Sequence, residues 1–181
     1  MIRALHRLTR TAPGPLAVRT VVYFAAVAGL WIAAPTAFVS FRLMLLIAIA
    51  AALPALLPGG RAVGVTMTFI IGMWAVATLV FGEPATPGRT FLTACALYVT
   101  HSAATLAAML PYDAIVDNQV IIRWAGRTAM VVIASGLVTA FVVLLAPLLT
   151  PTTSIFALLG GMAAVAALVA LLARGANMRR R

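Results

Sequence analysis

Charge is what this chain has least of. Only 9% of its 181 residues are charged, where a soluble domain typically carries about 25%. A chain that is 64% hydrophobic cannot cover its apolar interior with so few charges, so most side chains must meet lipid rather than water. Lysine is absent, and all 13 basic residues are arginine. The acidic residues are Glu83, Asp113 and Asp117. The single cysteine, Cys95, excludes an intrachain disulfide and a cysteine-based metal site. No nucleotide-binding loop, G-x-S-x-G elbow or H-E-x-x-H pair is present.

The net charge of +10 could signal nucleic-acid binding. Eight of the arginines, however, lie at the two ends (Arg3, Arg7, Arg10, Arg19, Arg174, Arg179, Arg180, Arg181), with no interleaved aromatics and no folded nucleic-acid module. Membrane topogenesis accounts for them more simply, and no nucleic-acid partner is expected. The alanine-rich, lysine-free composition fits GC-rich coding and a bacterial inner membrane.

What the chain does have is long apolar runs. They predict an all-α polytopic membrane protein, a bundle of six transmembrane helices at about 18–34, 38–57, 63–82, 90–110, 128–149 and 152–173. Each run is near the roughly 20 residues that cross ~30 Å of hydrocarbon. The runs are continuous rather than alternating, which excludes a lipid-facing barrel. Breaks fall at Pro35-Thr36-Ala37, Pro58-Gly59-Gly60 and Pro87-Gly88. The first run could serve as a signal-peptide core, but Pro35 at −3 of the candidate cleavage site is poor, so it reads as an uncleaved span. The chain divides into a basic cytoplasmic tail 1–17, a single membrane domain 18–173 and a basic cytoplasmic tail 174–181. Pro13-Gly14-Pro15 is expected to stop any helix in the first tail.

With both ends inside, eleven arginines are cytoplasmic (the eight terminal ones plus Arg61, Arg123 and Arg127), and only Arg42 and Arg89 lie outside. An odd number of spans would put an arginine-rich end outside, against the positive-inside rule. Arg42 is expected to snorkel to the outer headgroups. Residues 111–127 read as an amphipathic helix along the inner membrane surface that turns into span five, started by Pro111, with Trp124 as an interfacial anchor. Small residues at four-residue spacing, among them Ala25, Gly29 and Ala33, and Gly64, Thr68 and Gly72, are expected to mark close helix packing.

Two features could carry chemistry. On a wheel of span four, His101 groups with Thr90, Thr105 and Tyr98, opposite Leu92, Val99, Ala103, Leu106 and Leu110. His101 is therefore expected to face the bundle interior and the leucine side to face lipid. An ionisable group at this depth suggests a proton relay, a substrate contact or a ligand; the alternative is a packing histidine. A bis-histidine haem needs a second histidine within the membrane, and His6 lies in the tail. Zinc needs three or four ligands, which the chain does not supply there. No cofactor or resident metal is expected. The second feature is Asp113 and Asp117, a D-x-x-x-D spacing that shares a helix face and could hold Mg²⁺ against a phosphate; the alternative is a solvated face with one aspartate capping a helix. Glu83 could pair with Arg89 across a short turn.

Three functions follow. The first is an accessory or scaffold subunit of a bacterial inner-membrane complex, with the lipid bilayer and other membrane proteins as partners. The second is a small transporter or channel with His101 lining the path. The third is a lipid-phosphate enzyme using Asp113 and Asp117.

Overall fold

A computed structural model describes residues 13–111 and 116–148. The first twelve residues of the basic head, His6 among them, Asp113, the expected sixth span and the C-terminal tail lie outside the described residues. Five α-helices carry the described chain: α1 Pro13–Ala33, α2 Phe41–Leu56, α3 Arg61–Leu79, α4 Pro87–Met109 and α5 Asn118–Leu145. Single 3-10 turns sit at Thr36–Phe38 and Ala146–Leu148. By contact the chain divides into two compact units, Met1–Thr139 and Ala140–Arg181. The described part of the second is residues 140–148, the last turns of α5 and a 3-10 turn.

Helices α1, α3, α4 and α5 are each long and apolar enough to cross a membrane. Helix α2 is shorter, at 16 residues, or about 24 Å at 1.5 Å per residue. The local chemistry sets most of the ends. The Ser40 hydroxyl accepts from Leu43 N at 3.3 Å and caps α2. The Thr86 hydroxyl accepts from Arg89 N at 3.4 Å and opens α4, with Pro87 in its first turn. Gly82 adopts φ +64° in the turn after α3, a conformation that glycine enters without a Cβ penalty.

Two helix starts follow from local chemistry. Pro13-Gly14-Pro15 opens α1, because a proline in the first turn has no partner to lose and a φ already set for the helix. Within 111–127 the described helix begins at Asn118 and runs unbroken into the expected fifth span. Asp117 provides the start: its carboxylate accepts from Gln119 N at 3.0 Å and its carbonyl from Val120 N at 2.9 Å. No proline interrupts the next 28 residues, so the polar first turns and the apolar remainder share one helix of about 42 Å.

Helix α1 is the central post of the bundle. It packs most extensively on α4, then on α2 and α3. Its buried stripe steps by roughly one turn: Val18, Val22, Ala26, Leu30 and Ala33. One end of the stripe meets Ala55, Val63, Ala103, Ala104 and Ala107, and the other meets Ile47, Ala51 and Ile70. Gly29 lets the backbones close at mid-height, where a Cβ would stand 2.9 Å from Ile70 Cδ1 and 3.3 Å from Ala96 Cβ.

Candidate functional site

The polar groups at the two ends of this bundle join helix to helix. At one end Arg89, in the first turns of α4, reaches across to the last turn of α1. Its Nε donates to Ile32 O at 2.9 Å, and one terminal nitrogen donates to Ala34 O at 3.0 Å and Ala33 O at 3.4 Å. These are carbonyls that a helix end leaves unpaired, and a cation there also meets the negative end of the helix dipole. The other terminal nitrogen of Arg89 pairs with Glu83. Glu83 is held in turn by Thr36, whose N–H and hydroxyl donate to the same carboxylate oxygen at 2.5 and 2.6 Å. Phe38 and Phe81 close over this corner edge to face, with ring centroids 5.0 Å apart.

The expected Glu83–Arg89 pair therefore exists, as part of a three-way clamp rather than as an isolated surface pair. The hydroxyl of Thr36 first, then Arg89 and the Thr36 amide, hold the Glu83 carboxyl down from 4.5 to about 2. At the opposite end Arg19 of α1 does for α2 what Arg89 does for α1. It donates to Ala55 O at 3.1 Å and Leu56 O at 3.4 Å. Sequence reading assigned Arg19 only to topology; the signal it missed is an arginine one turn inside a span, level with another helix's C-terminus. Arg42 lies exposed in the first turn of α2.

The α4 histidine sits differently from expectation. Among the described residues His101 is exposed, as are Thr90 and Thr105, and Tyr98 is half-buried. The Thr105 hydroxyl bonds back to His101 O at 2.9 Å, and no described residue hydrogen-bonds to the imidazole. The face turned to the bundle is Thr93, Ala96, Thr100, Ala103, Ala104 and Ala107. Ala103, expected on the lipid side, is fully buried, and Leu106 and Leu110 pack against the core. The reason is size. Without a hydrophobic drive between helices, the face that allows the closest backbone approach goes inside, and on α4 that is the alanine–threonine face. Sequence reading sorted the helix by polarity and so placed His101 inside.

The remaining candidates resolve locally. Asp117 is exposed and caps α5, and its expected companion Asp113 is outside the described residues. No group of three or more metal-ligating side chains occurs among the described residues. The Trp124 indole N–H donates to the Ser102 hydroxyl at 2.9 Å, tying α5 to α4.

Chemically, the outward side of α4 offers Tyr98, His101 and Thr105 in a stripe at one-turn spacing. It can donate and accept hydrogen bonds but holds no nucleophile–base pair. Comparison with protein families, with curated proteins and with solved structures finds no match. What the helices themselves define is an all-helical chain with four spans of membrane-crossing length and apolarity, which points to a membrane protein.

Proposed function

We propose that this chain is an accessory or scaffold subunit of a bacterial inner-membrane complex, docking on another membrane protein through the outward stripe of α4. The observation that carries the reading is the exposure of His101 about eight residues from the end of a 23-residue apolar helix. An imidazole has a donor and an acceptor to satisfy, and hydrocarbon offers neither, so ionisable groups at such depth turn toward protein or water. A partner helix carrying a polar side chain at the matching height satisfies both needs. Helix α5 supports the same reading, since Thr128 is its one buried residue among those described.

In this account the helices cross the membrane six times, with the sixth span at 152–173 and both chain ends in the cytoplasm. The described end-to-end pairing agrees with the arginine count. Arg19 and Arg61 fall at the end shared by the α1 start and the α2 exit, and Arg89 and Glu83 fall at the other. The transporter reading has less support, because His101 lines none of the described cavities. The lipid-phosphate enzyme has less still, since Asp117 is engaged at the start of α5.

Copurification from native membranes in mild detergent tests the proposal. The expected result is a stoichiometric membrane partner, lost from the His101→Leu variant, which folds normally because the position is exposed. A lone, monodisperse chain, or a partner that His101→Leu retains, contradicts it.

A further inference from the structure

The side of α4 that faces away from the bundle is one helix wide. Ala94, His101, Thr105 and Ala108 are exposed on it, and Tyr98 is half-buried. From Ala94 through Tyr98, His101 and Thr105 to Ala108 the steps alternate between one residue more and one fewer, a mean period of about 3.5, which is the seam of a left-handed helix pair. The seam runs for about 21 Å along the axis. Ala94 and Ala108 sit at its two ends and let a second backbone come close, while Tyr98, His101 and Thr105 form its polar middle. The neighbouring faces are taken. Ser102 accepts from Trp124 of α5, and Thr93, Thr100 and Ala107 are turned into the bundle.

The hydrogen-bonding groups of that middle are unequal. The Thr105 hydroxyl gives its proton to His101 O at 2.9 Å, so toward a partner its oxygen only accepts. A neutral imidazole carries one N–H donor and one bare acceptor nitrogen, and among the described residues neither the His101 ring nor the Tyr98 hydroxyl has a hydrogen-bond partner. One turn separates His101 from Thr105, about 5–6 Å between Cβ atoms. A side chain docked between them has to accept from the imidazole N–H and donate to the Thr105 oxygen. A carboxylate only accepts; an ammonium or guanidinium only donates, and each brings a charge into hydrocarbon. A protonated carboxyl has both functions, but beside an imidazole it yields its proton and leaves two charges to desolvate. Hydroxyls on a helix spend their proton on their own backbone, as Thr20, Thr105 and Thr139 do here. A primary amide accepts through its oxygen and donates through its nitrogen, with no net charge.

We infer that the partner of α4 is a transmembrane helix presenting an asparagine or glutamine at the level of His101. Its amide oxygen accepts from the imidazole N–H, its amide nitrogen donates to Thr105 Oγ1, and its small residues a turn or two away meet Ala94 and Ala108. A lipid acyl chain offers neither function, so the occupant is a helix. This inference rests on the docking role given to α4 and names the chemistry that role requires of the partner.

The test uses designed apolar transmembrane peptides that differ only in a central Asn, Asp or Leu. Binding to the full-length protein is read by energy transfer in phosphatidylcholine vesicles, with the peptide dilute in lipid so that it rarely meets itself. The Asn peptide should bind the wild type about tenfold more tightly than the Leu peptide, the effect of hydrogen bonding between helices in lipid. His101→Leu should remove that preference, and Thr105→Val should reduce it about threefold; both positions are exposed, so both variants fold. The Asp peptide should bind no better than the Leu peptide. Equal binding of the Asn and Leu peptides by the wild type overturns the inference, as does a preference for Asn that survives in His101→Leu. An Asp peptide that binds as tightly as the Asn peptide overturns the selection of an amide. Failure of the docking role itself shows separately, in copurification. A native partner that is lost from His101→Leu, but whose contacting helix has no Asn or Gln, keeps α4 as the docking face and refutes the amide.

Discussion

Gly29 and Gly72 lie in neighbouring helices of the same bundle, and replacing each by alanine should have opposite effects. At Gly29 the added methyl meets Ile70 Cδ1 at 2.9 Å and Ala96 Cβ at 3.3 Å. Ile70 is fully buried and Ala96 nearly so, so neither has room to withdraw. Overpacking a filled interior of this kind costs about 1–3 kcal/mol. At Gly72 the same methyl enters open space. Both substitutions gain the same helix-propensity increment, about 1 kcal/mol, so the difference between the two variants isolates the steric cost. Gly72→Ala should unfold at the wild-type denaturant concentration or above it, and Gly29→Ala should fall below Gly72→Ala by about 1–3 kcal/mol. The assay is unfolding in mixed micelles with increasing dodecyl sulfate, followed by far-ultraviolet circular dichroism. Equal stability of the two variants would mean that α1 does not approach α3 and α4 as closely as described, and the central-post arrangement would fail with it.

Three further outcomes follow from the same packing. The Thr100 hydroxyl is fully buried with no partner, so Thr100→Val should be neutral or stabilise by about 1 kcal/mol; a loss of that size in the same titration would reveal a hydrogen bond on this hydroxyl. Trp124→Phe removes the bond to Ser102 and should cost about 0.5–1.5 kcal/mol, with no added cost in the Trp124→Phe, Ser102→Ala double variant beyond the serine's own; strict additivity would show that the two side chains do not interact. The Glu83 carboxyl is held down to about 2, so its contribution is complete above pH 4.5 and disappears as pH falls from there toward 2. Stability of the wild type should fall across that window relative to Glu83→Gln, and parallel pH profiles would remove Glu83 from the clamp.

The helices were legible where proline, glycine and polarity mark the ends. Pro35-Thr36 and Pro58-Gly59-Gly60 separate α1, α2 and α3 where the sequence puts the breaks, and Thr86 and Pro87 open α4. The α1 start lies earlier than the apolar run because proline acts by position: Pro13 inside a first turn begins a helix. The α5 start depends on Asp117, whose role as a cap was recognised as one alternative but not weighed against the amphipathic pattern. The site was less legible than the fold. Which face of α4 goes inside depends on backbone approach, set jointly by Gly29, Ala96 and Ala103 on two helices, and a wheel of one helix cannot contain that. The use of Arg19 and Arg89 on the carbonyl ends of neighbouring helices likewise requires knowing which helices are adjacent.

The outward direction of α4 is the claim on which the functional account depends, and a photo-reactive side chain can read it in place. A photo-crosslinking amino acid at Thr105, one turn from His101 on the exposed side, should on illumination of intact membranes yield a discrete adduct with another membrane protein, while the same probe at Leu92 yields none. Adducts with lipid alone at Thr105, or crosslinks from Thr105 into the core helices α1 and α3, would contradict the account.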